Sequence, residues 1–216
     1  MTENNDFKCS NKLKLDNNTH SKRKTPNWFL AIPFDNLAIR SNIKLVQEHI
    51  IHKEPKLIEA CIPVEKSHLS LFVFHTDNVE KVIELLTPIL QNYEFPETEI
   101  KVDSLGHFRH QVLFAHLKNF DEHLRLLWTK IGKCLMENNI IPTKDGQIEN
   151  FKPHITIMKL SKMETKKIRK IQPELHKEFN NHLFGVQPLQ KIEVLSRTHP
   201  IQSNGNYHCQ HIFSLV

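Results

Sequence analysis

The apolar positions of this chain fall into short runs and spaced stripes that alternate along its length. Trp28-Phe29-Leu30-Ala31-Ile32 is a compact apolar run stopped by Pro33, the pattern of a buried strand. From about 36 to 52, Ile39, Ile43, Val46 and Ile50 recur at three- and four-residue spacing, which predicts an amphipathic helix. His68-Leu69-Ser70-Leu71-Phe72-Val73-Phe74 reads as a second strand within 67–75. Val79, Val82, Ile83 and Leu86 then share one face of a helix opening near Asp77. Pro88 is expected to bend or shorten it, because proline lacks the backbone donor and crowds the preceding turn. Strands near 98–103 and 110–117 follow, then a helix from about 121 to 138 carrying Leu124, Leu127, Trp128, Ile131 and Leu135. A strand near 153–160, helical patterns within 163–182 and two strands over 189–196 and 206–215 complete the prediction.

Paired strands interleaved with helices predict an α+β fold with largely antiparallel sheets. Residues 1–24 have a different texture. They are rich in Asn, Lys, Asp, Ser and Thr, with no apolar period, and cannot bury enough surface to offset their ordering entropy. They are read as a disordered basic tail ahead of a single domain spanning 25–216.

Composition removes several function classes. Only Gly106, Gly132, Gly146, Gly185 and Gly205 occur, too sparsely for GxGxxG or GxxxxGK[ST], so dinucleotide-binding and P-loop readings are excluded. Cys9, Cys61, Cys134 and Cys209 are scattered without a CxxC pair, and the N-terminus has no apolar run, so cytosol or nucleus is the expected compartment. No stretch approaches the roughly 18 apolar residues of a membrane span. The net charge of +5 resides mostly in the tail, where six basic groups face three acidic ones. The near-neutral remainder fits a short oligonucleotide better than long RNA, since each phosphate contact needs a cation. Within the tail, Ser21-Lys22-Arg23-Lys24 reads as a solvated basic run or a weak nuclear-import signal.

One short pattern occurs twice. Lys66-Ser67-His68-Leu69-Ser70-Leu71 and Lys152-Pro153-His154-Ile155-Thr156-Ile157 both read Lys-x-His-aliphatic-hydroxyl-aliphatic, with the histidines 86 positions apart. Of the 15 histidines, only these two begin such a motif, against about 0.1 expected by chance. On a strand, residues i and i+2 share a face. Each strand would therefore present one imidazole beside one hydroxyl, with the aliphatic residues turned into the core. Phe72 and Met158, further along, are expected to pack beneath the site. Two such strands facing each other would suit metal-free phosphodiester chemistry. One neutral histidine would take a proton, a protonated one would give one to the leaving oxygen, and the hydroxyls would donate to the phosphoryl oxygens. His68, Ser70, His154 and Thr156 are therefore the candidate catalytic residues.

These strands resemble the paired signatures of the two-histidine (2H) phosphoesterase superfamily. Residues 26–33, 151–162 and 202–209 resemble, within it, the central domain of the long isoforms of A-kinase anchor protein seven. The resemblance implies a bilobal fold of two pseudo-symmetric lobes with a central cleft, AMP- or CMP-type nucleotide binding, no metal or other cofactor, and hydrolysis of 2′,5′-linked oligoadenylate. Hydrolysis of 2′,3′-cyclic phosphate ends of short RNA is an equally suitable reaction. One departure is Ser70, where the anchor-protein relatives carry threonine. Binding to protein kinase A regulatory subunits is not expected, since the chain stops at Val216 without the anchoring helix of those relatives. The alternatives are a non-catalytic nucleotide-binding module and an anchoring scaffold. A monomer without membrane attachment is expected.

A bound nucleotide also needs an aromatic wall and cations. Phe108, Phe184 with Gly185, and Tyr207 are candidates for the wall, and Arg109 and Arg197 for the phosphate. His107 with His110 and His208-Cys209 with His211 are tight histidine groupings, but neither has zinc-finger spacing with a second pair.

Overall fold

A computed structural model describes residues 24–94, 99–118, 121–140, 151–164 and 167–215, with backbone alone at 121–123. The tail assigned to 1–24 therefore lies outside the described residues, except for Lys24. Among the described residues, eight strands and three α-helices run in the order β1 (Trp28–Pro33), α1 (Leu37–Lys53), β2 (His68–Phe74), α2 (Val79–Gln91), β3 (Glu99–Phe108), β4 (Val112–Lys118), α3 (Asp121–Glu137), β5 (His154–Lys159), β6 (Leu183–Pro188), β7 (Lys191–Ser196) and β8 (Cys209–Ser214).

The strands form two four-stranded antiparallel sheets, ordered β2-β1-β7-β8 and β5-β4-β3-β6. The fold is α+β and bilobal. β1–α1–β2 and β4–α3–β5 are equivalent units, each ending on one of the two histidine strands at a sheet edge. The edges β2 and β5 lie against each other. The helices, however, cross over: α1 packs on β5 and β6 of the other sheet, while α3 packs on β2 and α2. The main apolar core joins the two lobes, with Phe34, Phe72, Phe74, Trp128 and Phe184 among its large, fully buried side chains.

Local signals account for most boundaries. Asn36 caps α1 by accepting from the Ala38 and Ile39 N–H groups, and Asn78 caps α2 through the Lys81 N–H. Pro88 does not end α2, which runs on to Gln91. α3 closes on Asn139 at φ 60°, and the Ile140 N–H returns to the Leu135 carbonyl, an asparagine version of the left-handed stop.

Two expectations need correction. In 163–182 the described residues carry only short 3₁₀ turns, at Pro173–Leu175 and Lys177–Phe179. Pro173 forces Gln172 into extended backbone (ψ 136°), and the Ile171 N–H is taken by the His110 carbonyl at 2.7 Å, so the helical apolar spacing never closes into a helix. The pattern also gives no sign of β6, because Gly185, at φ 139°, breaks the alternation of Leu183–Pro188.

Candidate active site

The two histidine strands are built alike to a depth the sequence motif does not show. On β2, His68 and Ser70 are partly exposed while Leu69 and Leu71 are buried; on β5, His154 and Thr156 repeat this against Ile155 and Ile157. Each strand then carries a β-bulge one residue after its hydroxyl. Leu30 pairs with Phe72 and Ala31 with Ser70, skipping Leu71; Leu113 pairs with Met158 and Phe114 with Thr156, skipping Ile157. The bulge reverses the side-chain phase. Phe72 and Met158 consequently enter the core with the aliphatic residues. They pack beneath the site, as expected, but through a bulge that simple alternation does not contain.

A bulge leaves backbone polar groups needing partners. Here the crossed helices supply them. The indole N–H of Trp128, on α3, donates to the Leu71 carbonyl. The amide of Gln47, on α1, donates to the Ile157 carbonyl at 2.9 Å and to the Ile62 carbonyl at 2.7 Å, and the Ile62 N–H also donates to Ile157. Each lobe's helix thus holds the other lobe's histidine strand. Gly132 permits the close approach of α3: a Cβ there would sit 2.8 Å from the Phe72 ring.

The imidazoles are oriented in the same way. The Nδ1 of His68 lies 2.7 Å from the Lys66 carbonyl, and that of His154 lies 2.6 Å from the Lys152 carbonyl. A carbonyl only accepts, so each ring keeps its proton on Nδ1 when neutral and leaves Nε2 as the working atom. The Ser70 hydroxyl donates to the His68 Nε2 at 3.0 Å. Burial is the main cause that lowers the His68 pKa below the ordinary imidazole value. The hydrogen bond to Lys66 opposes this shift, and the charge of His154 adds to it. At neutral pH His68 is therefore unprotonated.

Aromatic rings flank both histidines. His68 lies 5.1 Å from Phe29 and 5.8 Å from Tyr207, centroid to centroid, and His154 lies 4.9 Å from Phe108 and 5.2 Å from Phe114. Gly106, opposite Phe114 in the β3–β4 ladder, makes room for that ring: a Cβ would come within 2.6 Å of it. Lys66 places its ammonium 5.4 Å from the Tyr207 centroid. Burial raises the Tyr207 pKa, with the charge of Arg197 acting in the opposite direction.

The sequence candidates thus divide. His68, Ser70 and Tyr207 come together on one strand edge, and His154, Thr156 and Phe108 on the other. Arg197 is near enough to Tyr207 to act on its phenol, whereas Arg109 is at the tip of the β3–β4 hairpin, one residue past Phe108. Phe184 and Gly185 lie elsewhere. β6 is at the far edge of its sheet from β5, Phe184 is fully buried in the core, and Gly185 packs on Ile39. Phe29, Phe114, Lys66, Trp128 and Gln47 escaped sequence reasoning. Of these only Lys66 carried a signal, as the first residue of the repeat. Among the described residues no group of three or more His, Cys, Asp or Glu is arranged to hold a metal ion.

Residues 26–215 match the family model of the AKAP7 2′5′ RNA ligase-like domain. The chain belongs to this family. Its paired His-x-Ser/Thr-x strands place it among the two-histidine phosphoesterases. It is 32% identical over 203 residues to human A-kinase anchor protein 7 isoform gamma, covering 88% of this chain and 58% of that protein. The chain therefore spans a little over half the length of that relative. Solved structures share the fold at low identity. A Thermus thermophilus protein superposes with a TM-score of 0.60 at 19% identity, covering 88% of this chain and 97% of the other. Escherichia coli LigT complexed with 3′-AMP superposes with a TM-score of 0.56 at 16% identity, covering 89% and 99%. No helix among the described residues is long and apolar enough to cross a membrane.

Proposed function

We propose that the protein is a phosphodiesterase acting on 2′,5′-linked oligoadenylate or on 2′,3′-cyclic phosphate ends of short RNA, with His68 as general base and His154 as general acid in the first step. The observation that carries this reading is the matched tautomer control, in which both Nδ1 atoms are held by the carbonyl two residues back, so that Nε2 is the atom through which each ring would exchange a proton. Burial of His68 favours its neutral, accepting form.

On a 2′,5′ linkage, the Nε2 of His68 takes the proton of the neighbouring 3′-hydroxyl as its oxygen bonds to phosphorus. The phosphorus–O5′ bond breaks, and His154 protonates the departing oxygen. Water then opens the 2′,3′-cyclic phosphate with the roles exchanged. Ser70 and Thr156 donate to the non-bridging oxygens as charge moves onto them. This mechanism routes no step through a cofactor. AMP- and CMP-type nucleotides are the corresponding product-like ligands, with Phe108 and Tyr207 as base walls. The chain is proposed to act as a monomer in cytosol or nucleus, compartments that keep the free thiols of Cys61, Cys134 and Cys209 reduced.

The test is incubation of purified protein with 2′,5′-triadenylate, 3′,5′-triadenylate and an oligomer ending in 2′,3′-cyclic phosphate. Turnover of the first or third, and little of the second, is expected. Nucleotide binding without turnover of any would instead make the protein a binding module. Co-precipitation with kinase regulatory subunits, again without turnover, would make it a scaffold.

A further inference from the structure

A cavity of about 460 Å³ lies outside the histidine pair, lined by Gln111, Val112, Lys159, Ser161, Ile168 and Arg169. Three pieces of chain build it: the tip of the β3–β4 hairpin, the 3₁₀ turn Leu160–Lys162 after β5, and the segment through 168–171. They are tied together by backbone bonds from the Leu160 N–H to the Gln111 carbonyl (2.9 Å) and from the Ile171 N–H to the His110 carbonyl (2.7 Å).

Register places this cavity on the same sheet face as the site. Thr156 pairs with Phe114 and Lys159 with Val112, and the bulge at Ile157 keeps Thr156 and Lys159 in phase. Four ladder steps separate His154 from Lys159, about 13 Å at the usual strand rise. Phe108, which packs on the His154 ring, pairs with Val112 on the other side and forms an aromatic bridge between the two places. The lining holds two cations and no carboxylate. Among the described residues, no ion pair or side-chain hydrogen bond engages Lys159 or Arg169. Two like charges on one rim, beside a hydroxyl and an amide and over an apolar floor, suit an anion attached to a flat or apolar body.

We propose that this cavity is a remote-phosphate subsite of the same cleft. Lys159 and Arg169 take a phosphate of the substrate chain beyond the scissile one, Ser161 and Gln111 add hydrogen bonds, and Val112 and Ile168 floor the intervening sugar or base. The proposal rests on the oligonucleotide reading above and deepens it, since it makes the enzyme sensitive to substrate length.

Its test separates the two. Binding is measured with the His68→Ala/His154→Ala protein, using 2′,5′-diadenylate and 5′-phosphorylated 2′,5′-triadenylate. The longer ligand should bind about tenfold more tightly. Adding Lys159→Gln and Arg169→Gln should abolish that advantage and reduce the salt dependence by about one to two counterions. The same pair of substitutions in the otherwise native protein should lower kcat/KM more for the trimer than for the dimer. An advantage that persists in the variant, or that is absent before substitution, overturns the subsite. Absence of turnover by the unmodified protein would count against the phosphodiesterase reading, while the binding comparison would still decide the subsite.

Discussion

The two histidine strands share what positions a proton-transfer group and differ in what surrounds it. Both have the Nδ1–carbonyl bond, the hydroxyl two residues on, the bulge one residue after that, and an anchoring side chain from the opposite lobe's helix. Ser70 on β2 donates to the His68 Nε2, and Tyr207, from the loop ahead of β8, edges the same ring. On β5 the flanking rings are Phe108 and Phe114, both fixed in the β3–β4 ladder. The shared features are those that any acid–base pair on a strand needs, whereas the surroundings differ, and on β2 burial lowers the His68 pKa.

The largest expected effect tests the shared part. His68→Ala and His154→Ala should each lower turnover about 10²–10⁴-fold, and the double variant should cost little more than the worse single one, because the pair acts as one unit. Steady-state kinetics on the preferred substrate checks this. Near-normal turnover by either single variant would mean that the duplicated geometry is only structural.

The hydroxyls sharpen the difference. Ser70→Ala and Thr156→Ala should each cost about 10²–10³-fold, as for loss of one oxyanion-type donor. Their pH profiles should part company. The Ser70 hydroxyl donates to neutral His68, so its removal makes protonation easier and should move the acid limb of the kcat/KM profile to higher pH. The limb should stay in place in Thr156→Ala. Equal shifts in both variants would contradict the assignment of the base to β2.

The anchors are expected to act on stability first. Trp128→Phe keeps the stack with Phe72 and Phe151 but leaves the Leu71 carbonyl without its indole donor, a loss of about 1–3 kcal/mol. Gln47→Leu should cost less at the matching place, since the Ile157 carbonyl retains the Ile62 N–H and the Ile62 carbonyl, which also loses the amide, belongs to a half-buried residue within reach of water. Denaturant unfolding of the two variants ranks them, and the reverse order would break the proposed equivalence of the bulges.

Much of this is legible in the sequence, for physical reasons that also mark where legibility ends. A strand with alternating burial and a helix with a buried stripe write their period into consecutive residues, so β2, β5, α1 and α3 can be read. The bulges cannot, because Leu71-Phe72 and Ile157-Met158 are simply two adjacent apolar residues until a partner strand counts them. Nor can Phe29, Phe114, Gln47 or Trp128 be assigned, since each acquires its role from a chain segment remote in sequence. Phe184 misleads for a related reason: a glycine after an aromatic residue suggests a cleft-side turn, whereas Gly185 lets β6 pack against α1.

The smallest expected effect separates the lobes by their response to acid. His68 on β2 and His176, buried behind the β3–β4 hairpin, both have pKa values below the ordinary 6.5. For His176 burial is the main cause, with the charges of His107 and His110 acting in the same direction. In each case the unfolded chain binds the proton more readily than the folded one. Stability is therefore complete above about pH 6.5 and falls as pH drops from there through the folded-state value. His176→Leu removes one of these two groups at a place remote from the catalytic pair. Thermal melts from about pH 7.5 to 5 should show a shallower decline for the variant than for the native protein. If the variant and the native protein lose stability in parallel, His176 takes up its proton as readily in the folded protein as in the unfolded chain. The acid sensitivity would then belong to the β2 side alone.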